Sequence, residues 1–459
     1  MNNRQQMPLL DKDERIKSFE EVALGYTKEQ AIAEANRCLG CKNAPCKGGC
    51  PVGIDIPAFI EQIKKGEFIK AYQIINATNT LSAVTGRVCP QETQCEKKCI
   101  RGVKGEAVAI GALERFVSDY YAKHKPVSER EYAQSLDALK VAIIGSGPCG
   151  LTVAGDLIEL GYSVTVFEAL HKGGGVLTYG IPAFRLPKDI VQNQIEELKN
   201  KGVEFVFNAV AGKSFTFEDL QKWGYKAIIV GSGAGLPRFM GIDGEMSAGV
   251  CSANEFLTRV NLMEGYKSNA KTPVRRGGRT IVVGGGNVAM DAARSAKRLG
   301  SSVCVVYRRG ERELPARREE VIHAMEEGIE FNFMTNPVKI NANENGAVKS
   351  VTVIKMQMGE PDESGRASPI PIEGSEYDIE CDAVIMALGT SPNPLTRGAT
   401  DSEIFDSRGR IVVDENAATK LPYVFAGGDA VTGAATVILA MGAGKQIAKS
   451  VHEYLKKCN

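Results

Sequence analysis

The chain has 459 residues, 43 % of them hydrophobic, and a formal net charge of +1. Such a balance gives no electrostatic case for nucleic acid or an anionic membrane surface. No apolar run reaches the roughly 18 residues of a spanning helix, and the length predicts about three domains.

The first residues, MNNRQQMPLLDKDERIKSFEE, are charged and lack an apolar core. They do not read as a secretory signal, so a cytoplasmic, reducing location is expected. Residues 1–137 read as helical. TKEQAIAEANRCLGC opens on a Thr27 cap with Glu29 nearby. IPAFIEQIKKGEFIKAYQIINATN gives two short helices around Gly66, and no alternating strand precedes residue 138. This stretch holds seven of the twelve cysteines: Cys38, Cys41, Cys46 and Cys50, then Cys89, Cys95 and Cys99. Proline follows Cys50 and Cys89, which stops a helix from running through the ligand loop. Disulfides are disfavoured without a secretory signal, and zinc takes ligands in fours, which seven does not supply. Short spacings with prolines suit iron–sulfur ligation. Seven is one short of two four-ligand clusters, so an eighth ligand must be another side chain or a substrate. GEAVAIGALERF after Cys99 reads as helix, and KHKPVSEREYAQSLD as a polar linker.

The texture changes at 139. LKVAIIGSGPCG is a β-branched strand ending in Gly145, Gly147, Pro148 and Gly150. LTVAGDLIELG follows as a helix, and YSVTVFEA as a strand ending in Glu168. This is a βαβ unit with an acid about 20 residues beyond the glycines. The first glycine permits the tight turn, the second lets backbone approach a pyrophosphate, and the third lets helix pack on strand. Free N–H groups of the helix then meet the diphosphate, and Glu168 can accept from ribose hydroxyls. The unit repeats in GGRTIVVGGGNVAMDAARSAKRLG, with Gly284, Gly286, Asn287, Val288 and Ala289 at the turn. The strand SSVCVVYRRG ends in Arg308 and Arg309 where the first unit has an acid. Arginine there accommodates a 2′-phosphate, whereas an acid selects a free 2′-hydroxyl. The second turn is therefore expected to take NADPH and the first FAD. The blander alternative is that both arginines are solvated turn charges.

KAIIVGSGAG and DAVIMALGTSPN each run an apolar strand into a small-residue turn, where the chain passes between the two nucleotide units. Near the C-terminus, YVFAGGDAVTGAATVILAMGAGKQIAKSV gives strand, Gly428 and Asp429, then a helix opening at Thr436 and Val437. Asp429 can bond a ribityl chain, and the helix-start N–H groups can face the flavin edge that gains charge on reduction. Cys251 and Cys304 stand alone, which argues against a disulfide relay. The four histidines form no cluster, so no triad or histidine metal site is expected.

Together IDIPAFI, TGRVCP, GSGPCGL, GGGVLTYGIPAFRLPK, GGGNVAMDAAR, VYRRGERELPARREE and AGGD resemble the small (beta) subunit of NADPH-dependent glutamate synthase along essentially the whole chain. The same architecture is similar to the N-terminal half of dihydropyrimidine dehydrogenase. It is also similar to the large subunit of NADH-dependent ferredoxin:NADP oxidoreductase, or sulfide dehydrogenase alpha subunit. The resemblance implies an α/β fold: an all-α iron–sulfur domain, then two nested Rossmann-like domains of the glutathione-reductase type. The domains implied are 1–137 for two [4Fe–4S] clusters, 138–244 with 391–459 for FAD, and 245–390 for NADPH. Cys38, Cys41, Cys46 and Cys99 would hold one cluster, and Cys50, Cys89, Cys95 and Glu114 the other. Gly174, Gly175, Tyr179, Gly180, Ile181 and Arg185 would lie along the flavin. Arg317 and Glu320 would lie beside NADPH, unless that charge run is only a solvated face.

The implied activity is hydride uptake from NADPH and one-electron export through the clusters. Neither a glutaminase nor an FMN barrel is expected in this chain, so glutamate formation implies a large partner subunit. The alternative partner is a flavin/[2Fe–2S] subunit with ferredoxin, in an electron-bifurcating complex.

Overall fold

The computed structural model describes residues 3–124, 138–361 and 367–457. From residue 125 onward, the expected linker lies outside them. The first part is helical: α1 (Lys28–Ala35), α2 (Ile56–Lys64), α3 (Phe68–Asn76), α4 (Ser82–Val88) and α5 (Ile110–His124). Thr27 caps α1, and Gln30, not Glu29, completes the capping box by accepting from the Thr27 N–H at 2.9 Å. Gly66, at φ +74°, turns the chain between α2 and α3. The cysteines lie in the short irregular loops between these helices.

The first nucleotide unit holds β1 (Lys140–Ile144), α6 (Pro148–Glu159), β2 (Ser163–Phe167), α7 (Lys188–Asn200), β3 (Glu204–Val206) and β4 (Tyr225–Val230). The second holds β5 (Val250–Ser252), β6 (Arg279–Val283), α8 (Asn287–Arg298), β7 (Ser302–Tyr307), α9 (Arg318–Glu326) and β8 (Glu330–Phe333). An antiparallel extension follows, β9 (Thr335–Ala342), β10 (Val348–Pro361), β11 (Ala367–Pro371) and β12 (Tyr377–Glu380). The chain then returns through β13 (Ala383–Met386) to the second sheet, and through β14 (Val424–Ala426) and α10 (Val437–Leu455) to the first. Both five-stranded sheets are parallel, in the orders β14-β4-β1-β2-β3 and β5-β13-β6-β7-β8.

Alternation along the strands explains the layers. Val141 and Ile143 of β1 face one core and Ala142 and Ile144 another. The first of these cores is continuous with the helical part, joining Ile60 and Leu113 to Leu151 and Met441. The cysteine-bearing helices are therefore welded to the first nucleotide sheet by buried apolar surface.

A strap formed by residues 8–24 ties all three parts together. Its two arms pair through Leu10 N–H to Val22 O and Leu24 N–H to Pro8 O, at 2.9 and 2.8 Å. Val22 N–H donates to Phe184 O at 3.0 Å. Arg298 Nε donates to Ser18 O at 3.1 Å, and Arg15 pairs with Glu326 at 2.8 Å. Glu21 takes Arg87 and Arg115 of the helical part at 2.7 and 3.0 Å. No helix among the described residues is long and apolar enough to cross a membrane.

Candidate functional site

At both glycine turns a hypothetical Cβ separates the roles. Gly145 and Gly284 have φ of +100° and +137°, reserved for glycine. A Cβ there would strike Gly231 O and Ala387 O. Gly150 packs on Gly145 O, and in the second unit the buried Ala289 stands in for it. At Gly147 and Gly286 a Cβ would meet nothing within 4 Å. The turns are thus tight behind and open in front, which fits a diphosphate at the N-termini of α6 and α8.

Around the first turn the expected residues converge. Glu168 accepts from Ser146 N–H at 2.9 Å and from its hydroxyl, and from Leu170 N–H at 2.9 Å. Ser146 Oγ also accepts from Gly174 N–H at 3.0 Å, and a Cβ on Gly175 would lie 3.0 Å from Gly147 Cα. The 173–175 run therefore crosses the turn. Gly428, at φ +63°, lies against Cys149, and Asp429 accepts from Ala435 N–H at 3.2 Å. Burial raises the Asp429 pKa, and burial pushes the Tyr179 phenol up to about 12, with Asp429 and Glu168 adding to it. Thr436 caps α10 and Val437 is its first residue. Pro148 opens α6, and Ile181 is buried.

Around the second turn, Asn287 Oδ1 accepts from Arg317 N–H at 2.9 Å, and Val288 is exposed. Arg308 is exposed and pairs with no described acid. Arg309 is buried, and its Nε has no hydrogen-bond partner. A buried guanidinium N–H without an acceptor fits an anion that the protein itself does not supply.

Three expected cofactor contacts have their charged groups engaged with protein instead. Arg185 Nη1 grips both oxygens of Asp291 at 2.7 and 2.8 Å, and its Nε lies 2.8 Å from Glu320. Glu320 also takes Arg294. Arg317 reaches the helical part, donating to Arg87 O at 2.9 Å and Gln91 Oε1 at 3.2 Å. Burial alone would raise Glu320; the guanidiniums of Arg185, Arg294 and Arg317 outweigh it and hold the carboxyl at about 2. Glu327, between Arg294 and Arg298 at 2.6 and 2.7 Å, is held at about 2 in the same way. Both guanidinium carbons lie over the Phe184 ring, 4.7 and 3.9 Å from its centre.

All seven early cysteines are free thiols. Cys38, Cys41, Cys46 and Cys99 line one cavity, closed by Ile56, Ile60, Val108 and Ile110. Burial pushes the Cys46 thiol up to about 11. Cys50, Cys89, Cys95 and Glu114 form a second constellation, each close enough to act electrostatically on others of the set. Glu114 is buried; Thr85 Oγ1 and Asn79 Nδ2 donate to its Oε1 at 2.5 and 3.0 Å. Burial raises its carboxyl to about 7 against those two donors. Among the described residues no three His, Cys, Asp or Glu side chains converge on a single ion. Ligands of a cubane each hold a different iron, so two spread sets of four fit a cluster better than a lone metal.

Several residues had no sequence signal of their own. Asn261 donates to Tyr179 O and Gly180 O at 3.2 and 3.1 Å, holding the YGIP segment. Lys188, the final residue of the GGGVLTYGIPAFRLPK run, donates to Leu177 O at 2.9 Å and to Ile181 O. Burial brings its pKa down to about 7. Thr85 belongs to the quoted TGRVCP motif, the one clue to the Glu114 cradle.

Two parallel dinucleotide sheets, each with an open glycine turn, joined to a cysteine-rich helical domain, define a pyridine-nucleotide oxidoreductase with an iron–sulfur module. Residues 139–446 match the pyridine nucleotide-disulphide oxidoreductase family, and residues 15–126 match dihydropyrimidine dehydrogenase domain II, 4Fe-4S cluster. The glutamate synthase [NADPH] small chain of Escherichia coli is 36 % identical over 95 % of this chain and 94 % of its own length. The NADP(+)-dependent formate dehydrogenase subunit beta of Moorella thermoacetica is 39 % identical over 95 % of this chain, which spans 64 % of that protein. In fold, FprA from Mycobacterium tuberculosis superposes with a TM-score of 0.60 at 19 % identity, over 70 % of this chain and 85 % of that one. The chain belongs to the pyridine nucleotide-disulphide oxidoreductase family, in the branch that includes the glutamate synthase small chains.

Proposed function

We propose that this chain takes reducing equivalents from NADPH and passes single electrons to a partner protein, as the electron-input subunit of a glutamate synthase. The 245–390 unit would bind NADPH, the 138–244 and 391–459 parts FAD, and the first 137 residues two [4Fe–4S] clusters. When bound, the flavin supplies conversion of a two-electron hydride into single electrons, and the clusters supply one-electron conduction.

The chain's own residues orient and insulate. The turn at Gly284–Ala289 presents N–H groups to a diphosphate, with Arg308 and Arg309 at the strand end for a 2′-phosphate. Gly145, Gly147, Pro148 and Gly150 would do the same for FAD, with Glu168 available to its ribose and Gly174, Gly175, Tyr179, Gly180 and Ile181 available to its ring. Gly428 and Asp429 would serve the ribityl chain, and the N–H groups at Thr436 and Val437 the flavin edge that gains charge on reduction. No side chain is needed as acid or base, because hydride transfer needs orientation.

One observation carries the reading. A Cβ on Gly442 of α10 would meet Pro51 O at 3.1 Å, so the helix that begins at the flavin turn runs directly under the Cys50 loop. That contact supports a route from the first nucleotide unit into the Cys50, Cys89, Cys95, Glu114 set, and onward to the Cys38, Cys41, Cys46, Cys99 set. Free thiols throughout the described cysteines support a reducing, cytoplasmic setting.

Purified anaerobically with its cofactors, the chain is expected to reduce one-electron dyes with NADPH and to form no glutamate alone. NADPH-independent dye reduction would overturn the activity. A native pull-down with mass identification tests the partner. A large amidotransferase subunit supports glutamate synthase; a small flavin/[2Fe–2S] subunit replaces it with the bifurcating reading.

A further inference from the structure

Arg317 joins two places that the proposed function keeps apart: the NADPH turn and the loop that bears Cys89. Its backbone N–H donates to Asn287 Oδ1 at 2.9 Å, one residue beyond the open Gly286. The neighbouring Ala316 N–H donates to Gly285 O at 3.3 Å, so the approach to α9 is stitched to the turn twice. The side chain runs the opposite way. Nη1 donates to Arg87 O at 2.9 Å and Nη2 to Gln91 Oε1 at 3.2 Å, two residues before and two after Cys89. Gln91 cannot swing freely. Its Nε2 donates to Thr85 O at 3.3 Å, and Gly111 of α5 leaves no space for a Cβ beside the amide. Thr85 in turn holds Glu114. The guanidinium is buried near the Cys89 sulfur, where it favours the thiolate, although Glu319 at 2.8 Å and Glu92 at 3.7 Å offset part of its charge.

A planar fork whose two donors reach acceptors on either side of Cys89 positions that loop as well as charging it, which a lysine cannot do. A dinucleotide seated at 284–287 would lie beside Asn287, whose side chain holds the Arg317 backbone N–H. We propose that Arg317 is a positioning residue that couples occupancy of the NADPH turn to the redox equilibrium of the Cys50, Cys89, Cys95, Glu114 cluster. The inference rests on the functional reading above. By linkage, dinucleotide binding and cluster reduction then change each other's equilibrium by the same factor.

The test uses the full chain loaded with FAD and clusters, and tetrahydro-NADP, a dinucleotide inert to hydride transfer. Its affinity is measured on oxidised and on reduced protein, and the cluster midpoints by EPR-monitored titration with and without it. In the wild type the affinity is expected to differ about fivefold or more between the two states, with one cluster signal moving and the other fixed. Arg317→Gln is expected to lower the midpoint of that signal and to bring the affinity ratio to one. Arg317→Lys is expected to keep the midpoint near wild type, because the charge remains, and still to lose the coupling. Equal affinities in the wild type, or an undiminished ratio in either variant, overturns the proposal. A protein whose iron content and spectra show no cluster at Cys89 overturns the underlying reading as well, so the two failures are distinguishable.

Discussion

At Arg308 and Arg309 the cofactor preference becomes measurable. Exposed Arg308 and buried Arg309 follow β7 where Glu168 follows β2. Replacing both with alanine is expected to raise the KM for NADPH by tenfold or more, on the order of the 1.5–3 kcal/mol of a charged hydrogen bond, and to leave that for NADH nearly unchanged. Equal effects in steady-state kinetics would remove the 2′-phosphate assignment. Glu114→Ala is expected to alter one cluster EPR signal and lower iron content while the other signal persists; unchanged spectra would remove Glu114 from the ligand set. The glycine turns were legible from residue types because only glycine tolerates φ of +100° or +137°, so the chemistry fixes the residue. The interleaving of Cys99 with Cys38, Cys41 and Cys46 was not legible from spacing. It depends on Ile100 and Ile110 closing over one cavity with Ile56 and Ile60, a contact between distant segments.

Among elements, α10 bears most directly on electron flow. A Cβ on Gly444 would meet Cys149 O at 2.8 Å and one on Gly442 would meet Pro51 O at 3.1 Å, so α10 is wedged between α6 on one side and the Cys50 loop on the other. Gly442→Leu is expected to push the helix off that loop and slow NADPH-driven dye reduction several-fold, while absorbance shows FAD content unchanged. Loss of FAD in parallel would assign Gly442 to folding alone. In α8, Asp291, Arg294 and Arg298 recur at helical spacing, and charges so spaced ordinarily read as a solvated face. They are buried here because partners arrive from Arg185, Glu320 and Glu327, residues the sequence places elsewhere.

At the scale of the whole molecule, this buried ion lattice fixes the two nucleotide units on each other. Glu327→Gln leaves two buried guanidiniums short of an acceptor and is expected to cost about 3–5 kcal/mol, read as a lower midpoint in urea unfolding. The pH dependence has a definite sign. Glu320 and Glu327 lie below their usual 4.5, near 2, when folded, so their contribution is complete above 4.5 and is lost as pH falls toward 2. Thermal unfolding between pH 5 and 3 is expected to fall more steeply in the wild type than in Glu327→Gln; parallel curves would contradict the pairing.

The strap of residues 8–24 also sets an order of events during synthesis. Arg15 meets Glu326 across 311 residues, and Arg298 meets Ser18 across 280. At translation rates of about 5–20 residues per second, the strap leaves the ribosome roughly 15–60 s before Glu326 exists. The strap is therefore made well before the partners on which it docks. Cys99 in turn precedes Glu326 by roughly 11–45 s at the same rates, so all seven early cysteines exist before the strap can complete its docking.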